Sequence, residues 1–182
     1  MLAGGRCGRP SSGQAGQAMV EFALTGLVAF IIFFGIMDFA VLFAGRITGT
    51  NAARDAARYA AVHPTAWSNS ANPPVDSIQG RLLAGAVPAR FVNDDAHITI
   101  SYVLVGPGAG TDCGQYSATA NAFVPQGVYT EATCMIPGKT LIEVHVSYPF
   151  TFATPLWSLI GVSHNPITLT GDAAELEEVP PS

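Results

Sequence analysis

The hydrophobic and polar positions of this chain change their spacing several times along its length. Residues 22–45, FALTGLVAFIIFFGIMDFAVLFAG, are apolar on every side and hold one charge, Asp38. As a helix rising 1.5 Å per residue, such a run is long enough to cross a hydrocarbon core of about 30 Å. No proline follows until Pro64, and alanines dominate positions 52–61. The pattern therefore predicts one unbroken helix from about Ala18 to Val62, roughly 67 Å long. In its second half Ala53, Ala57 and Ala60 or Ala61 form a stripe of small residues. Either another element approaches closely there, or this is an alanine-rich helix surface. Asp55 and Arg58, three apart, are expected to pair on that surface.

Beyond Pro64 the composition of WSNSANPPV reads as a loop. Val75, Ile78, Leu82, Leu83 and Val87 then mark a short amphipathic helix interrupted by Gly80 and Gly85. Strict alternation follows in HITISYVLV, with Ile98, Ile100, Tyr102 and Leu104 on one face, and again in LIEVHVSY, with Ile142, Val144, Val146 and Tyr148. A third strand is expected in PITLTGDAAEL. These elements predict an α+β fold: a long N-terminal helix, half transmembrane and half soluble, with a small antiparallel sheet and a short additional helix. The soluble half of the long helix is placed to cover the sheet. Residues 106–138 read as a long loop, a length that is often functional. Tyr116, Phe123 and Tyr129 in it either meet a partner or belong to a stapled insertion.

Composition narrows the function. The 182 residues have room for one modest domain, expected at 63–182 beyond the helix with its transmembrane segment at 22–45. The net charge is −5, with acids gathered late at Asp172, Glu175, Glu177 and Glu178. No basic surface is available to neutralise phosphates, which excludes nucleic acid as a partner. Of three cysteines, Cys7 precedes the apolar run, where a lipoprotein cysteine would follow one, and is read as incidental. Cys113 and Cys134 either remain thiols or close a loop of about 20 residues, a link worth ~3 kcal/mol that requires an oxidising compartment.

The apolar run is too long and too rich in Phe and Ile for a removable secretory signal, so retention in a membrane is expected. Arginines on its two sides, Arg6 and Arg9 against Arg46, Arg54 and Arg58, do not decide its orientation. The cysteine pair and the acidic tail favour a C-terminal part outside the cytoplasm. Asp38 within the span needs a partner or water: either it contacts another membrane helix in an assembly, or it sits hydrated near the outer headgroups.

Just before the run stands GQAMVEF, in which Glu21 follows Gly16 by five positions. This string resembles the processing site of type IV pilin-like proteins, where a membrane aspartyl protease cuts after the glycine and leaves glutamate as the fifth mature residue. The resemblance implies that 1–16 is a leader, that 17–62 is the mature N-terminal helix, and that a prepilin peptidase cuts between Gly16 and Gln17. It also implies an assembly role for Glu21, which would lie one helical turn from the new amine and could pair with that of a neighbouring subunit. The further run VEFAL…GIMDFAVLFAGRITGTNAARDAARYAAVHP resembles the TadE-like proteins, accessory pseudopilins of the tight-adherence (Flp) pilus system, and Asp38 stands where that family often has an acid. EVHVSYPFTFATPLWSLIG and ITLTGDAAELEE resemble the family's closing pattern: a strand, a Pro-Phe turn, a short apolar segment and a last strand ending in acids. Phe22 stands where major pilins of this system tend to have tyrosine, favouring an accessory role over the bulk filament subunit. The implied location is the bacterial inner membrane, with the N-terminus cytoplasmic, and the implied partners are the peptidase and other pilins or pseudopilins.

No catalytic constellation is legible, and no cofactor or metal is expected. His63, His97, His145 and His164 are scattered, and Glu143 with His145 share only an outward strand face. GPGAG lacks the lysine and helix of a phosphate loop. Two other classes compete with the pilus component: a permanently anchored extracytoplasmic binding module, and an anchored hydrolase, which would need an activated nucleophile not found here.

Overall fold

The computed structural model describes residues 12–85, 92–106, 110–152, 154 and 167–178. Arg6, Cys7 and Arg9 of the expected leader, Val87, most of the GPGAG turn and the apolar segment after Thr154 lie outside the described residues.

One helix, α1 (Ser12–Val62), carries both the apolar run and the alanine-rich run without interruption. Its surroundings change along its length. From Met19 to Met37 the large apolar side chains on every side are exposed, Phe22 at 80%. At Asp38 a buried stripe begins and continues through half-buried Leu42 to Gly45, Gly49, Ala52, Ala53, Ala56, Ala57 and Ala60, recurring every three to four residues and so staying on one face. That face lies on the sheet, as the sequence predicts for the soluble half. Of the two readings of the alanines, close approach is the one observed.

The sheet has five antiparallel strands in the order β3-β2-β1-β4-β5. They are β1 (Ile98–Leu104), β2 (Thr111–Ser117), β3 (Ala122–Pro125), β4 (Thr140–Phe150) and β5 (Ile167–Leu176). Ile98, Ile100 and Tyr102 face inward beside Ile142, Val144, Val146 and Tyr148, as their alternation requires. Leu104, expected to share that face, is half-buried, because a register shift after Tyr102 turns Val103 inward. Helix α1 packs across β4 and β5. Small residues set the separation: a Cβ on Gly171 of β5 would lie 2.8 Å from the backbone carbon and oxygen of Gly49, and one on Gly45 would lie 2.8 Å from the Tyr148 hydroxyl.

Helix α2 (Ile78–Gly85) begins where Ser77 caps it, its hydroxyl accepting from the Gly80 N–H at 3.0 Å. Ile78 and Leu82 enter the core and Leu83 packs at its margin, whereas Val75 precedes the helix and is exposed. The helix meets α1 where Gly85 passes Ala52, close enough that a Cβ there would be 3.2 Å from the Ala52 Cα.

Three expectations need correction. The stretch 106–138 is not a plain loop, since it holds the hairpin β2–β3 and a short capped helix, α3 (Glu131–Cys134). Its aromatics turn inward: Trp67 stacks on Tyr116 with centroids 5.3 Å apart, and Phe123 meets Tyr102 edge-on at 5.7 Å. The Pro-Phe pair makes no turn, because Pro149 and Phe150 continue β4 opposite Thr168 and Ile167. Beyond Val146 β4 has lost its β1 neighbour, so a residue lacking an N–H is tolerated there. Arg58 pairs across to Glu175 of β5 at 3.6 Å in place of Asp55, an exposed contact worth little.

Candidate functional site

The features that sequence reasoning singled out occupy three levels of the molecule. At the lowest, Gly16, Gln17 and Glu21 lie within α1 and are exposed. A Cβ on Gly16 would meet nothing within 4 Å, so its neighbourhood is open to a bulky partner. Because the helix is continuous, Gln17 and Glu21 are four residues apart on one face, about 6 Å along the axis. An amine created at Gln17 would therefore lie one turn from the Glu21 carboxylate. Glycine destabilises a helix interior by up to ~1 kcal/mol relative to alanine, so α1 is easier to unwind at Gly16 than an alanine there would make it.

At the middle level Asp38 is 1% exposed. Its carboxylate accepts from the Thr154 N–H at 3.3 Å and from the Thr154 hydroxyl. Among the described residues it is Thr154, in the segment that follows β4, that bonds this carboxylate. The contact spans 116 positions, and no local signal in the sequence could have revealed it. It falls at the turn of α1 where the bare apolar cylinder ends and the buried stripe begins.

The upper level is the far end of the domain, where Cys113 and Cys134 are joined with Cα atoms 5.5 Å apart. The register shift between Tyr102 and Val103 is a β-bulge at Cys113, which turns this residue inward toward α3. Thr130 and Thr133 cap α3 reciprocally and hold Cys134 in place. Nearby, the Tyr102 hydroxyl accepts from Trp67 Nε1 at 2.7 Å and donates to the Pro64 carbonyl at 2.6 Å. Burial pushes the Tyr102 phenol up, so it remains a neutral donor.

Glu177, just past β5, is 5% exposed, and among the described residues its Oε2 has no hydrogen-bond partner. Its backbone clasps the stretch that leads into β4: its N–H donates to the Thr140 carbonyl and its carbonyl accepts from the Gly138 N–H, at 2.7 and 2.9 Å. Burial raises its carboxyl above the ordinary glutamate range, against a smaller opposite effect from the Thr140 hydroxyl. The stability this site contributes is therefore whole below the unfolded pKa of about 4.3 and is lost as pH climbs through the raised folded value. Glu177→Gln is expected to leave urea unfolding at pH 4 unchanged and to stabilise the chain by about 1 kcal/mol at pH 8. Parallel pH profiles for the two proteins would show that the buried carboxyl is not the cause.

On the outward face of the sheet, His145 Nδ1 bonds the carboxylate of Asp172, its register partner on β5. The alternation of ITLTGDAAEL, which puts Asp172 outward, was the signal that could have found this pair. A His–Asp pair invites comparison with a hydrolase, but the hydroxyl of Ser147 donates to the Ala96 carbonyl at 3.2 Å instead of engaging the imidazole. Among the described residues no three His, Cys, Asp or Glu side chains are grouped to hold a metal ion.

Residues 16–58 match the family described as TadE-like protein. The match starts at Gly16, takes in Glu21 and Asp38, and ends in the part of α1 that packs on the sheet. No curated protein and no solved structure matches the chain.

Proposed function

We propose, from the premise that residues 16–58 are a TadE-like domain, that this chain is a pseudopilin serving as a structural or assembly component of a tight-adherence type IV pilus. A prepilin peptidase cuts it between Gly16 and Gln17. The observation that carries this reading is the placement of Gly16, Gln17 and Glu21 at the foot of a bare apolar helix whose other end lies in the domain core. Removing residues 1–16 would leave the anchor and the core whole. Cutting within the apolar run, as for a secretory signal, would sever a helix that continues into the folded part. The new ammonium and the Glu21 carboxylate lie one turn apart in a low-dielectric setting, where each needs a counter-charge from its own chain or from the next subunit.

In the proposed setting α1 spans the inner membrane with its N-terminus cytoplasmic and the disulfide outside, where oxidation is possible. Phe22 in place of tyrosine supports an accessory role. The chain acts by assembly and needs no nucleophile or cofactor. Coexpression with a prepilin peptidase, followed by intact-mass measurement and N-terminal sequencing of the membrane fraction, is expected to give a mature start at Gln17. Gly16→Phe is expected to block the cut. Persistence of Met1 in the presence of an active peptidase would defeat the proposal and leave the permanently anchored binding module. Glu21→Ala is expected to insert and be processed normally, yet to be missing from sheared pili.

A further inference from the structure

The described residues at the end of the sheet nearest Asp38, 149–152, 154 and 167–170, include no Asp, Glu, Lys or Arg. They read Pro-Phe-Thr-Phe, Thr and Ile-Thr-Leu-Thr. Phe150 and Phe152 meet edge-on at 5.5 Å, while Ile167, opposite Phe150, is 41% exposed. Thr154, beside Asp38, belongs to the same end. The acids of β4 and β5, Glu143, Asp172 and Glu175, lie farther along these strands, and His97, paired with Asp94, stands beside Pro149 and Thr168 at the upper margin of this end. On the opposite side of α1 the apolar surface does not stop at Asp38. Phe39 and Phe43 continue the exposed stripe from Ile36 up to Ile47, and the first charge beside it is Arg46.

The described residues of α1, β4 and β5 thus share a band without Asp, Glu, Lys or Arg beyond Asp38 itself, just above the bare cylinder. From Val20 to Met37 that cylinder measures about 27 Å, close to a hydrocarbon core of about 30 Å. The headgroup layer adds some 5–7 Å on each side. From Asp38 to Phe43 α1 rises about 7 Å, the same depth. We infer that the domain is seated in the outer headgroup layer of a phospholipid bilayer. The Asp38–Thr154 contact lies at the hydrocarbon boundary, with Phe39 and Phe43 on one side of the helix and, on the other, the end of the sheet formed by Phe150–Phe152, Thr154 and Ile167–Thr170. Bilayer lipid is the occupant because the band is continuous with the spanning surface, and because Arg46 stands beside its upper end, where a guanidinium suits lipid phosphates. The Asp38–Thr154 contact also removes the cost of a carboxylate at that depth by supplying hydrogen bonds from within the chain.

This inference rests on the membrane-spanning reading of α1, and the experiment separates the two. The full chain, with Cys7→Ser and the disulfide intact, is reconstituted into phosphatidylcholine–phosphatidylglycerol vesicles. Single nitroxide labels are placed through Ala29→Cys, Phe43→Cys, Thr151→Cys, Thr168→Cys or Val128→Cys, and oxygen and nickel-chelate accessibilities are compared. Ala29 is expected deep in hydrocarbon and Val128, 94% exposed, in water. Phe43, Thr151 and Thr168 should show an oxygen-to-nickel ratio several-fold above that of Val128 and below that of Ala29. If these three behave like Val128 while Ala29 is deep, the span is right and the seating is wrong. If Ala29 is also aqueous, the spanning reading fails and the seating with it. Dipolar broadening at Phe43 that disappears on dilution with unlabelled protein would mean a second copy covers the stripe, which also overturns the proposal.

Discussion

Replacing Gly171 by alanine is expected to lower the midpoint of thermal unfolding of the detergent-solubilised chain by roughly 10 °C, a loss of about 3 kcal/mol, at the upper end of what overpacking costs. The reason is that the added methyl would sit 2.8 Å from backbone atoms of Gly49, and neither partner has a side chain that can rotate away. The strand would have to lift from the helix, opening gaps along Leu169, Tyr148 and the alanine stripe. Gly35→Ala serves as the control: nothing lies within 4 Å of its position, so the same substitution is expected to be neutral or slightly stabilising through helix propensity. Near-ultraviolet circular dichroism would follow the domain and not the bare helix. Equal midpoints for the two variants would mean the Gly49–Gly171 crossing does not set the packing distance.

Removing the disulfide should cost a similar amount. In the variant carrying both Cys113→Ser and Cys134→Ser, the 21-residue separation is no longer closed in the unfolded chain, a loss of about 3 kcal/mol. The two hydroxyls would also be placed at positions that are fully buried. The change is expected to be local in its first effects. The β2–β3 hairpin and α3 hang from β1 and from the staple, so their amides should exchange faster while those of β4 and β5 stay protected. Urea unfolding together with hydrogen exchange by mass spectrometry checks both parts. A double variant within about 0.5 kcal/mol of the parent would show that Trp67, Tyr102, Tyr116 and Phe123 hold the hairpin without the bond.

The contrast between these two regions explains what the sequence made legible. Strands β1, β4 and β5 could be read because each alternates over most of its length and buries one face. Strand β2, TDCGQYS, could not, because the bulge at Cys113 breaks its alternation and a glycine occupies a buried position. Strand β3 has four residues and ends in proline at an edge, which locally reads as loop. The spacing of Gly16, Gln17 and Glu21 was visible because it depends on helix geometry alone. Thr154 as the partner of Asp38, Glu175 as that of Arg58 and Asp172 as that of His145 all depend on tertiary register. The alanine stripe was visible as a surface for close approach and the sheet as what the soluble half would cover, but that β4 and β5 are the strands beneath it was not, since that depends on strand order.

The unbroken course of α1 through both the bare run and the core has a mechanical consequence. Between Met19 and the buried alanines there is no proline, so the rod transmits torque: turning its lower end turns the sheet by the same angle. One residue added between Gly26 and Gly35 would rotate the upper body by about 100° and raise it by about 1.5 Å, whereas seven would restore nearly the original heading. Any machine that grips the foot of this rod thereby dictates the compass direction in which His145 and the outer sheet face point.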